Sequence, residues 1–148
     1  MKNHDKEHQI TIRLLLTIGI LVFGLVVPFL EINNTHVFNP NWTPHALIHE
    51  VWQLVTNTLL AVVCLWLVWI KKETYFPSLI GMIITGSFLF AYVIQDLYGG
   101  SMKYLDGSEK TLLGLNIGLL GFGIVFSICA CSFFISRQEQ QTSKKLEY

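Results

Sequence analysis

The chain has 148 residues, 52% of them hydrophobic and only 14% charged, with ten basic and ten acidic side chains and no net charge. That composition excludes an ordinary soluble domain and, with no dense basic patch, a nucleic-acid partner. One all-α unit is expected, an integral membrane four-helix bundle.

Residues 1–10 are polar and mixed in charge, and are expected to fray. The first apolar run, Thr11 to Leu30, has about the twenty residues a span requires. It lacks a small-x-small cleavage site and three more spans follow, so it reads as a retained helix rather than a secretory signal. Pro28 should bend or end it near Glu31. The connector Glu31 to Thr43 carries Asn33, Asn34, His36, Asn39, Pro40 and Asn41, which is turn chemistry. Its two Asn-x-Thr triplets, at Asn33 and Asn41, would accept sugar only in a eukaryotic secretory setting. Trp42 suits an interface.

The second span, about 44–70, opens on Thr43 as N-cap and Pro44 in the first turn. It ends at Lys71 and Lys72, with Trp66 and Trp69 as the opposite aromatic belt. The third, about 77–97, opens at Pro77 and ends at Tyr98-Gly99-Gly100. The fourth, about 109–135, follows an N-cap at Ser108, and a polar tail closes the chain at 136–148. Lys and Arg divide unevenly between the two ends. Lys2, Lys6, Arg13, Lys71, Lys72, Arg137, Lys144 and Lys145 fall on one side, Lys103 and Lys110 on the other. Cytoplasmic segments hold the excess, so both termini should be cytoplasmic in a multi-pass protein of the cell membrane. Gly114, Gly118, Gly121 and Gly123 give the fourth helix a small surface for packing within the bundle, or for docking a homo- or hetero-oligomeric partner. Cys64, Cys129 and Cys131 lie inside apolar runs and read as small buried side chains, not as an exchanging pair.

Polar residues collect at the outer end. His45 and His49 are four apart on one helix face, and Gln53 and Asn57 continue the stripe inward. Glu31, Glu50, Gln95, Asp96 and Asn116 are expected at the same end, with Asn116 about two turns inside the fourth helix. Polar groups at membrane depth are costly and face protein or a wet cavity, which points to function. Two chemistries suit the set. His45, His49 and Glu50 can do acid–base work near neutral pH, with Gln53, Asn57, Gln95, Asp96 and Asn116 holding a lipid-like or quinone-like molecule. Alternatively His45, His49 and Glu31 can ligate a divalent metal, although Glu50 follows the second histidine and the zinc-protease order is absent. No acidic residue lies mid-span, which disfavours a proton-coupled exporter. A non-catalytic subunit docking through the fourth helix is the competing class.

The stretch Asn39-Pro-Asn-Trp-Thr-Pro-His-Ala-Leu-Ile-His-Glu-Val-Trp-Gln resembles small bacterial and fungal integral membrane proteins of unknown function. In these the first outer loop enters a helix with a Pro-His-Ala-x-x-His pattern followed by an aromatic residue. Pro44, His45, Ala46, His49 and Trp52 match. The resemblance implies a four-helix membrane layout and carries no activity. The layout is also similar to that of the sterol-isomerase-like four-helix group, whose histidines and acids face a lipid cavity. The spacing here departs from that group's pattern, so no catalytic role transfers.

Overall fold

The computed structural model describes residues 2–104 and 106–146, with side chains for 7–104 and 106–142. The chain is mostly helical, and four of its helices are long and apolar enough to cross a membrane. The lysines at 2, 6, 144 and 145, counted above for orientation, have side chains outside the described set, as do residues 147–148 of the tail.

Helix α1 (Lys2–Leu21) runs through a π-helical turn (Val22–Val26) into a short last segment, α2 (Val27–Glu31). The helix therefore runs through Pro28 and ends at Glu31, the end point that the sequence suggests. Proline has no N–H to return to the Gly24 carbonyl four residues back, and an orphaned carbonyl in an apolar setting is costly. The Thr58 hydroxyl donates to Gly24 O at 3.0 Å while also reaching Leu54 O at 3.0 Å. Gly24 allows that approach: a Cβ there would lie 2.0 Å from the Ala61 Cβ. Proline, π turn, glycine and threonine thus act as one device that carries the helix through Pro28 without leaving its backbone unsatisfied.

Thr43 caps α3 (Pro44–Trp69) as its sequence suggests, its Oγ1 accepting from Ala46 N, with Pro44 in the first turn. Helix α4 (Tyr75–Val93) begins two residues before Pro77 because the Glu73 carboxylate accepts the N–H groups of Tyr75 and Phe76. It stops at Val93, and Gln95–Leu97 form a 3-10 turn instead of a last α turn. The core is a stripe of Ile12, Leu16, Ile20 and Phe23 at helical spacing, packed on Ala61, Cys64 and Val68 of α3. Val125 and Cys129 complete it. Gly81 brings α4 close, since a Cβ there would meet Cys129 Sγ at 2.5 Å. Cys64 and Cys129 are buried free thiols, whereas Cys131 is exposed.

The fourth span departs most from expectation. Residues 109–116 are not helical. Thr111–Leu112 (β1) pairs antiparallel with Leu115–Asn116 (β2), around a turn in which Leu113 and Gly114 both have positive φ. That is the geometry of a two-residue hairpin turn. Helix α5 starts only at Ile117 and continues to Leu146. Asn116 is its true cap, with Oδ1 accepting from Gly118 N at 2.8 Å and Leu119 N at 3.2 Å. Ser108 instead closes a turn on Asp106, donating from both N and Oγ to Oδ1. Those two donors hold the exposed Asp106 carboxyl below its usual pKa.

Both polar ends are helical rather than frayed. Glu, Gln, Lys and Arg are good helix formers, neither stretch contains Gly or Pro, and each only extends a helix already nucleated by its span. Gln9 hydrogen-bonds Glu139 across them. Outside the core the helices present an apolar mantle, including Ile18, Leu25, Phe29, Leu59, Val62, Ile83, Phe90 and Ile124.

Candidate functional site

The expected site residues divide into three places at one end of the bundle. The first is the connector between α2 and α3. Asn33 and Asn39 shape it through Asx contacts, Asn33 Oδ1 accepting from Thr35 N and Asn39 Oδ1 from Asn41 N. This brings His36 Nδ1 to 2.6 Å from Glu31 Oε2 and 2.8 Å from Thr35 Oγ1. Pairing with the Glu31 carboxylate raises the His36 pKa above the ordinary histidine value, against the opposing effect of burial, and Glu50 adds a smaller attraction. Trp42 packs edge-on against the same imidazole. His36 was not among the expected site residues, yet it is the histidine that Glu31 engages. Only its position five residues after an acid signals this.

The second place is the exposed face of the first two turns of α3. The N-cap and first-turn proline fix where the helix begins, and the i, i+4 spacing then stacks His45 and His49. Their Nε2 atoms are 3.1 Å apart, with ring planes at 85°. Trp52 lies beside His49, and Gln53 continues this exposed face. Glu50 is half-buried and acts electrostatically on the Glu31–His36 pair. Asn57 is half-buried near Gly24.

The third place is a cleft of about 170 Å³ where α4 ends. Phe88, Ala91 and Tyr92 from α4, Gln95 from the 3-10 turn, and Tyr98, Ser101 and Met102 from the following loop line it. The loop folds back because Gly99 takes a positive φ, Gly100 N donates to Gln95 O and Tyr98 Oη donates to Ala91 O. Phe88 is held by stacking on Phe122 of α5, 4.4 Å between centroids.

Of the expected ligand-binding set, Gln95 alone lines this cleft; Gln53 and Asp96 are exposed, and Asn57 lies beside α1. Asn116, expected two turns inside a helix, is spent on capping α5 and donates from Nδ2 to Glu109. The metal set His45, His49 and Glu31 is not assembled either. Glu31 is turned to His36, and no group of three His, Cys, Asp or Glu suited to a metal occurs among the described residues. Tyr98 is expected at this end from the sequence, beside Gln95 and Asp96; Tyr92 and Ser101 carry no such signal, because the loop that completes the cleft turns at Gly99 and Gly100. No family model, curated protein or solved structure matches the chain.

Proposed function

We propose that this is a multi-pass protein of the cell membrane whose outer end binds the ring or head group of a lipid-like or quinone-like amphiphile. Four apolar spans, an apolar mantle and the uneven lysine and arginine distribution support the membrane placement, with both termini cytoplasmic.

The cleft at the end of α4 carries the ligand reading. A cavity of about 150 Å³ is known to take a single benzene ring, so a cleft of about 170 Å³ has room for one flat ring. Phe88, Tyr92 and Tyr98 offer aromatic surface, while Gln95 and Ser101 offer hydrogen bonds to a ring oxygen. Exposed Phe90, Val93 and Leu97 at the same end of α4 suit an alkyl tail lying along the bundle. Binding is favoured over turnover, because His45, His49 and Glu50 do not line this space.

Native mass spectrometry of protein released from mild detergent is the test. The wild-type chain should carry one amphiphile, and Ala91→Trp, which fills the cleft, should carry none; Gln95→Leu should reduce occupancy. A bare wild-type chain, or full occupancy in Ala91→Trp, contradicts the reading. A docking role for α5 is the second reading, favoured by Gly121 and Gly123. A Cβ on either would meet nothing within 4 Å, unlike Gly118, which faces Met102 and Phe88. A second polypeptide in the same spectrum, lost in Gly123→Leu, would support it.

A further inference from the structure

We propose that His45 and His49 form a two-imidazole chelate for a divalent d-block cation, copper or zinc, on the open face at the start of α3. This inference does not depend on the amphiphile cleft, whose lining excludes both residues.

Geometry carries it. Metal–imidazole bonds are about 2.0–2.1 Å, so two nitrogens on one ion stand about 2.9 Å apart at a right angle and about 3.3 Å at the tetrahedral angle. The Nε2–Nε2 separation of 3.1 Å falls between these limits. The spacing therefore suits one ion once each ring turns its Nε2 lone pair from the other ring toward the ion. Both rings are exposed, so water can fill the remaining positions and the ion has an open approach. The helix fixes the Cβ spacing, and Trp52 against His49 restricts that ring further.

A simple hydrogen bond explains less. In the neutral pair one Nε2 must donate and the other accept, which ties the two rings to different tautomers. Two exposed imidazoles gain little from this in competition with water. Metal binding needs both Nε2 lone pairs, so the donor ring moves its proton to Nδ1, where solvent can receive the hydrogen bond. Both ligands stay neutral and no proton is lost. The positive end of the α3 dipole opposes a cation here. The Glu31 and Glu50 carboxylates at the same end work in the other direction.

Imidazole pairs favour copper over zinc, so Cu²⁺ is the probe. His4 and His8 share the same i, i+4 spacing, so the titration uses untagged, detergent-purified protein with both replaced by alanine. Electron paramagnetic resonance should then show one Cu²⁺ per chain with two nitrogen ligands. Loss of an outer-shell partner alone weakens metal sites about 10–100-fold, so His45→Ala or His49→Ala should weaken this one by at least about 100-fold. The surviving spectrum should lose one nitrogen. Helical content by circular dichroism should stay unchanged, because neither side chain packs in the core. Unchanged affinity in both His45→Ala and His49→Ala, or no two-nitrogen spectrum in the parent, overturns the proposal.

Discussion

His36 shows how one side chain can tie a connector to a helix end. Its Nδ1 meets the last residue of α2, its ring meets Trp42, and its pKa is raised chiefly by the Glu31 carboxylate. A group whose pKa is raised on folding adds stability that is full below its unfolded value and is lost as pH climbs through the folded value. The unfolded value is about 6.5. The stability gap between wild type and His36→Gln should therefore be widest just below that pH and should fade as pH rises through the raised folded value. Melting temperatures in detergent across the pH range measure this; a gap that grows with rising pH would show that Glu31 does not hold the charged form. Residues like these explain part of what the sequence concealed. Glu31 and His45 look equally suited to share a metal until the Asx turns at Asn33 and Asn39 bring His36 to the acid first.

At the scale of elements, the passage of the first helix through Pro28 depends on a partner helix. Pro28 leaves the Gly24 carbonyl in need of a donor, and Thr58 of α3 supplies one. Thr58→Val keeps the shape and removes the donor. Interhelical hydrogen bonds in membranes average about 0.6 kcal/mol and reach about 1.7, and this one should lie toward the upper end because Pro28 removes the usual i+4 donor. Pro28→Ala restores that N–H, so the cost of Thr58→Val should shrink in its presence. Unfolding free energies of the four proteins in the double-mutant cycle report the coupling, and additive losses would separate Thr58 from the proline.

The same scale shows where periodicity fails. The start of α3 was legible because Thr43 and Pro44 are specific signals that the backbone obeys. Thr111 to Phe122 is almost uniformly apolar, and an apolar run reads equally as helix or strand. Leu113 takes a positive φ at 91% exposure, a conformation leucine rarely adopts, so no propensity could have marked that hairpin turn. The usable cue was Asn116 just before Ile117, as strong an N-cap residue as Ser108.

Across the whole molecule the four-helix, all-α layout was legible, because twenty-residue apolar runs leave few alternatives. The grouping of polar residues at one end was legible too. Their partition into an ion pair, an exposed histidine pair, a capping asparagine and an aromatic cleft was not, since it depends on which helix faces turn inward. Site, ligand and metal access all rest on one arrangement: four crossings, with the His36 connector outside and both chain ends inside. A single cysteine introduced at Asn34 or at Gln141, in a chain with Cys131 replaced by serine, tests it through a membrane-impermeant maleimide on intact cells. Both positions are exposed, and the two remaining cysteines are buried. Asn34→Cys should label on intact cells and Gln141→Cys only after lysis. Labelling of Gln141→Cys from outside, with Asn34→Cys reached only after lysis, would invert the protein and contradict the account.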